Sequence, residues 1–172
     1  MKLYEDINAY ASSLGAKMKV CLVSPAFHIV LFYRISFFLT HKVPIVGSYI
    51  GLIFEYINRI VYSVDISRYA KIDGGFVVMH GMGIVIGEEV QIGKNCKILN
   101  GVNLGNKDTE VTYNQQPKIG NNVIIGAGAK CLGAINISDN VIIGANAVVL
   151  SDIPKNCIAV GIPAKIKRRA NR

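Results

Sequence analysis

Residues 84–105 read IVIGEEVQIGKNCKILNGVNLG, and after a polar interruption residues 118–149 read KIGNNVIIGAGAKCLGAINISDNVIIGANAVV. An apolar residue leads every sixth position. Before the interruption these are Ile86, Ile92, Ile98 and Leu104; after it they are Ile119, Ile125, Cys131, Ile137, Ile143 and Val149. Glycine follows many of them (Gly87, Gly93, Gly105, Gly120, Gly126, Gly144). Four residues behind each leader stands a second small or apolar side chain: Val90, Cys96, Val102, Val123, Ala129, Ile135, Val141, Ala147 and Ile153. A strict period of six fits neither the 3.6 of a helix nor the alternation of a strand. It is the hexapeptide repeat of a parallel β-helix. An ordinary sandwich with Gly-rich turns is the competing reading, and ten leaders in one phase leave it little room.

The physical content of the period is short. Each unit is one brief strand and a corner, and three units close a triangular coil with the leader pointing inward. The glycine beside the leader is expected to supply corner backbone angles that a Cβ would obstruct. One coil cannot bury its own apolar residues, so coils must stack and like side chains form ladders.

The chain has 172 residues, half of them hydrophobic and 17% charged, enough for one folded domain with a small appendage. No cleavable signal peptide is expected, because Lys2, Glu5 and Asp6 come first and no apolar h-region follows them. Four cysteines (Cys21, Cys96, Cys131, Cys157) lie far apart, two of them at inward repeat positions where a thiol serves as a small hydrophobe. All four are expected to be reduced, which points to the cytoplasm. With neither CxxC nor HxxxH, no zinc site is expected. The net charge of +8 is partly gathered at the end, in Lys165, Lys167, Arg168, Arg169 and Arg172. No recognition fold or aromatic platform accompanies that tail, so a nucleic-acid partner is not expected; a solvated tail, or a site for a phosphorylated cofactor or an anionic membrane, is.

Residues 1–63 differ from the rest and read as a helical segment. Leu3, Ile7, Tyr10, Ala11 and Leu14 share one helical face. Ser24-Pro25 offers an N-cap and first-turn proline for a second helix to about Leu39. His41 to Pro44 breaks it, and a third helix is expected over Ile45 to Ile60. The longest charge-free run here, Val20 to Tyr33, is too short to span a bilayer. These helices are expected to pack on the β-helix or a partner subunit. Contact with the inner face of the membrane is the alternative, kept open by the Phe, Leu and Ile of Ala26 to Leu39.

The β-helix is expected over 64–172, because Ile66, Ile72, Val78 and Ile84 already step by six. The next leader is Ile86, so the phase slips by two across His80-Gly81-Met82-Gly83, the mark of a local bulge. A second break suspends the repeat from Asn106 to Lys118, a polar loop ejected from the coil, and loops on a rigid solenoid are where function gathers. After Val149, Pro154 and Pro163 are expected to interrupt further pairing, with the remainder capping the open end.

His28 and His41 lie in helical surroundings and read as structural. His80 sits at the phase slip. Asp65, fifteen residues earlier and less than one coil away, could stand beside it and hold the imidazole in one tautomer, as a general base requires. No nucleophile elbow or phosphate loop competes, and Cys96 and Cys131 read as core.

With those residues in view, the chain resembles the hexapeptide-repeat acyltransferases, in the branch of serine O-acetyltransferases and related polysaccharide-cluster O-acetyltransferases. The resemblance runs from about Arg59 to Ile166. It rests on VDI (Val64–Ile66), HGMGIVIGE (His80–Glu88), NLG (Asn103–Gly105), PKIG (Pro117–Gly120), IGAGAKCLG (Ile125–Gly133), IGANAVV (Ile143–Val149) and GIPAKI (Gly161–Ile166). It implies a left-handed parallel β-helix, a homotrimer with active sites between subunits, and acetyl-CoA as co-substrate with no metal. By the same resemblance His80 is the catalytic base and Asp65 its orienting carboxylate. Gly105, Ala127 and Ala145 line the acetyl-CoA groove; Lys165 and Lys167 are read from their charge as partners for the nucleotide phosphates.

The departures concern the acceptor. Met79 stands where the serine enzymes have Asp before the catalytic His, and Gln115-Gln116 where they have an Arg-His pair. Ser67 replaces the usual His after VDI. A thioether and two amides lack the charge that grips serine's amino and carboxylate ends. The expectation is therefore an O-acetyltransferase whose acceptor is a sugar hydroxyl of a surface polysaccharide, met by hydrogen bonds from Gln115 and Gln116. Serine O-acetyltransferase is the alternative, and a non-catalytic β-helix scaffold is the alternative of another class. A trimer is expected over a hexamer because the helical extension is short.

Overall fold

The computed structural model describes residues 2–43, 45–108, 110 and 115–168. Four helices come first: α1 (Lys2–Tyr10), α2 (Leu14–Val23), α3 (Pro25–Lys42) and α4 (Val46–Tyr62). The first coil carries β1 (Val64–Ile66), β2 (Lys71–Ile72) and β3 (Val77–Met79), and the second β4 (Ile84–Ile86), β5 (Gln91–Ile92) and β6 (Lys97–Leu99). Then follow β7 (Asn103–Gly105), β8 (Lys118–Ile119), β9 (Ile124–Ile125), β10 (Lys130–Leu132), β11 (Asn136–Ile137), β12 (Ile142–Ile143), β13 (Val148–Val149), β14 (Cys157–Val160) and β15 (Lys165–Arg168). Every third strand falls on the same face. The three sheets run β1-β4-β7-β10-β13, β2-β5-β8-β11 and β3-β6-β9-β12-β14-β15, parallel except for the last pair. The result is a solenoid of about five turns.

All ten leaders are buried, as are the nine small or apolar residues that trail them. At roughly 1.5–3 kcal/mol for each large aliphatic side chain taken from water, this single column of ladders is the main source of cohesion. The corner chemistry differs from the expectation. The glycines directly after the leaders do not hold the left-handed angles. They are small because the next coil is close: a Cβ on Gly126 would stand 2.6 Å from the Ala145 nitrogen, and one on Gly93 2.7 Å from the carbonyl carbon of Gly120. Left-handed φ falls instead mostly to asparagine and to other glycines. Asn95, Asn122, Asn140 and Asn156 (φ 57, 55, 59 and 59°) stack down one corner, the first three amides each donating to the next side-chain oxygen at 3.1–3.4 Å.

The first coil would expose strand edges, and the helices cover them. Asp6 Oδ1 accepts from the Phe76 N–H at 2.9 Å, and the Tyr10 hydroxyl both accepts from the Val78 N–H and donates to the Val78 carbonyl, so α1 completes the open edge of β3. Arg34 of α3 donates to the Ile72 and Asp73 carbonyls while its Nε and Nη2 clasp Asp6. The packing expectation thus holds for α1 and α3.

Three boundaries differ. Ser13 accepts from the Ala16 N–H and starts a helix of its own, so the expected first helix ends at Tyr10 and α2 is additional. The second helix, capped by Ser24 as expected, runs on to Lys42 and takes His41 inside it. The C-terminal prolines do not end pairing: β14 continues the third sheet and β15 folds back on it antiparallel, so Lys165 and Lys167 belong to a strand, solvated as expected but not a free tail. Arg169 and Arg172 lie outside the described residues. No single helix among the described residues is long and apolar enough to cross a membrane.

Candidate active site

The phase slip read from the sequence is a real insertion. Val77 pairs with Lys97, an offset of 20 residues, whereas Val85 pairs with Asn103, an offset of 18. Two extra residues are therefore accommodated between β3 and β4, and His80 stands there at φ 54°. The bulge is held from both sides. The Met82 N–H donates to the His80 carbonyl, and the Gly83 N–H to the Ser63 carbonyl, both at 2.8 Å. Gly81 lies against Ile29 and Val78 with no room for a Cβ. A bulged, twice-tethered corner is a way to aim one side chain outward from an otherwise closed coil.

The His80 ring is exposed and has no hydrogen-bond partner among the described residues. Beside it opens a cleft of about 420 Å³ lined by Pro25, Ala26, Ile29, Val61, Tyr62, Ser63, Gly81 and Met82. An accessible, unencumbered imidazole at the mouth of a cleft can take a proton from an acceptor hydroxyl.

Asp65 does not play the part expected of it within one chain. It projects outward from β1 and its Oδ1 accepts from Arg59 Nη2 at 2.8 Å. No hydrogen bond joins it to His80 among the described residues. Arg59, in the last turn of α4, offers a full positive charge at hydrogen-bonding distance, so the carboxylate is held in a charge-assisted pair. Arg59 is the residue that sequence reasoning missed here; its partner is legible only once the turn at Ser63 (φ 55°) folds α4 back on β1.

The expected acceptor groups divide. Met79 ends β3, exposed, directly before His80. Gln115 and Gln116 sit instead at the corner after β4, at the far end of a three-residue strand. There Gln116 Oε1 accepts from the Glu89 N–H at 3.1 Å, the Gln115 N–H donates to Glu89 Oε2 at 3.2 Å, and Gln116 lies on Gly87. A second cleft of about 420 Å³, lined by Lys71, Glu88, Glu89, Gln91, Gln116 and Lys118 among others, opens at that corner. Glu89 is thus a second residue that the sequence did not single out: it pins the loop. The strand offset of 27 between Asn103 and Lys130 marks where the loop leaves the coil. Its residues 109 and 111–114 lie outside the described ones.

Of the three residues expected to line the cofactor groove, two share a corner. Ala127 and Ala145 occupy the same corner on successive turns, joined by the Asn146 N–H to Ala127 carbonyl bond at 2.8 Å. Ala145 is exposed and Ala127 half-buried. Gly105 stands at a different corner, at the end of β7, the central strand of the first sheet, its carbonyl accepting from the Gly133 N–H. Lys165 and Lys167 alternate along β15 opposite Val160 and Ile158, so both ammonium groups leave from one face. Small side chains at the Ala127–Ala145 corner leave the backbone open to close approach. Cys96 and Cys131 are core residues: burial pushes their thiols up to about 11 and about 12, the opposite of an activated nucleophile.

Comparison with known proteins gives relatives along most of the chain. No protein-family model matches the chain. A serine acetyltransferase of Helicobacter pylori is 43% identical over 149 residues, covering 87% of this chain and 85% of its own length. One from Synechococcus elongatus is 36% identical over 154 residues, 89% of this chain; the alignment spans 61% of that longer relative. Among solved structures, soybean serine acetyltransferase without ligand superposes with a TM-score of 0.87 at 32% identity, over 96% of this chain and 67% of its own. A serine acetyltransferase in complex with CoA gives 0.84 at 34% identity, over 96% and 68%. These names favour the serine branch over the polysaccharide one.

Proposed function

The chain belongs to the serine acetyltransferase family, and from that premise we propose an acetyl-CoA-dependent O-acetyltransferase with His80 as its general base. The single observation that carries the reading is His80 itself, an exposed imidazole aimed out of the solenoid by a two-residue bulge at the mouth of a cleft. His80 takes the proton of an acceptor hydroxyl, and the oxygen attacks the thioester carbonyl of acetyl-CoA. The tetrahedral oxyanion collapses with loss of the CoA thiolate, which receives the proton from the imidazolium. Gly105, Ala127 and Ala145 let the pantetheine arm approach the backbone, and Lys165 and Lys167 meet its phosphates.

The assembly follows from the division of the site. On one chain His80 and Gln115-Gln116 stand at opposite ends of β4, about 10 Å of strand apart. A neighbouring subunit in a homotrimer brings its loop against His80 and completes the acceptor pocket. That packing also places a new environment around Asp65, where it can leave Arg59 and orient the imidazole. Sedimentation at a single-chain mass, or at a hexamer's, would contradict the trimer.

Serine is the acceptor to which the relatives' names point. A second reading, a neutral hydroxyl-rich acceptor such as a sugar, is favoured by Met79, Gln115 and Gln116, none of which can pair with an ammonium or a carboxylate through charge. Thiol release from acetyl-CoA with L-serine and with a panel of sugars and polysaccharide fragments separates them. Turnover on serine alone supports the first reading, turnover on a sugar but not serine the second, and hydrolysis indifferent to any acceptor refutes both.

A further inference from the structure

Two of the four helices are turned the wrong way round for a protein that ends at its own surface. α2 is apolar yet has no buried residue, leaving Leu14, Met18 and Leu22 exposed. α4 is inverted: the residues it buries are Gly47, Gly51 and Asn58, with the Asn58 amide donating to the Ile29 carbonyl. Outward it presents Tyr49 (71% exposed), Ile53 (57%), Tyr56 and Ile60 (64%), with Val46 before them. At 100° per residue the exposed apolar positions of α4 spread over about half of the helix circumference, along about 25 Å. That is a broad face and not the narrow seam of a two-helix coiled coil.

We propose that α2 and α4 dock the protein on an anionic lipid bilayer, lying in the headgroup region and not crossing it. Charge decides the occupant. Glu55 is the only acidic residue between Leu14 and Tyr62. It is turned inward and paired with Arg68 at 2.8 Å. Lys17 and Lys19 flank the apolar residues of α2, and exposed Lys42 closes α3 where the chain enters α4. Cations beside an apolar face, with no exposed carboxylate on α2 or α4, match an anionic leaflet. Two tyrosines on the face also suit a headgroup boundary, where the ring is buried and the hydroxyl stays wet. The inference is independent of the acetyl-transfer chemistry.

The test is sedimentation of the full chain with phosphatidylglycerol–phosphatidylcholine vesicles, against pure phosphatidylcholine. The protein is expected to pellet with the anionic vesicles and to be released by salt. Ile53→Glu and Ile60→Glu, both at exposed positions, are each expected to weaken binding about tenfold or more, because an aliphatic group is withdrawn from an apolar phase. Lys17→Glu/Lys19→Glu is expected to remove the preference for anionic lipid. Far-UV circular dichroism and native mass should be unchanged in all three variants. Failure of the wild-type chain to bind anionic vesicles would overturn the proposal. So would a fall in native mass in Ile53→Glu, which would assign the face to a second copy.

Discussion

Replacing Asp6 by Ala tests the account of how the helices hold the first coil. Asp6 is fully buried and serves two partners at once: the Arg34 guanidinium, through 2.8 and 3.1 Å bonds, and the Phe76 N–H on the edge of β3. Removing one partner of a buried pair costs about 3–5 kcal/mol, because the other charge is left uncompensated. The orphaned Phe76 N–H adds to this, at about 1–3 kcal/mol for an unsatisfied buried donor. Arg34 keeps its bonds to the Ile72 and Asp73 carbonyls, which softens the loss. The net expectation is about 3–5 kcal/mol, read from urea denaturation at one fixed protein concentration. The control is Lys2→Ala, whose pair with Asp73 is about half exposed on both sides and should matter by less than about 1 kcal/mol. Hydrogen exchange should also quicken at Phe76 and Val78 in Asp6→Ala, since β3 loses part of its edge cover. An Asp6→Ala loss no larger than that of Lys2→Ala would refute the reasoning.

The asparagine corner separates backbone from side-chain effects. Asn122→Ala loses both ladder bonds and strains a left-handed residue, for about 1–2 kcal/mol; Asn122→Gly should recover the backbone part, and equal losses in the two variants would count against the ladder account. Burial holds the Cys96 and Cys131 thiols far above their ordinary range. A folded pKa raised above the unfolded one gives stability that is fully present below about pH 8.5. It is lost as pH rises through the folded values of about 11 and about 12. The urea midpoint should therefore fall above that pH, and iodoacetamide should label exposed Cys21 alone in the native protein.

What could be read in advance divides along physical lines. A period of six is a property of the chain itself, so the leaders, the start of the coil at Val64 and the bulge at His80 were all legible. The inward face of α4 was not, because Gly47, Gly51 and Asn58 do not look like a core until α3 lies against them. The Asp65–Arg59 pair depends on a turn, and the hold of Glu89 on Gln115 and Gln116 depends on a loop's return path, neither of which a repeat encodes. The corner glycines serve close approach and not left-handed angles for a related reason. In a stacked coil the neighbour's backbone limits side-chain size, and asparagine together with other glycines takes most of the left-handed positions. The acceptor is the least legible part, since its groups stand on two corners of one chain.

The most direct test of the central claim is acceptor-dependent thiol release from acetyl-CoA by wild-type protein and by His80→Ala. His80 is exposed and its side chain makes no hydrogen bond to another group among the described residues, so the variant should fold and still bind acetyl-CoA. The account predicts a fall in turnover of at least about a hundredfold, the contribution of a positioned general base. Turnover within a few fold of wild type would contradict it.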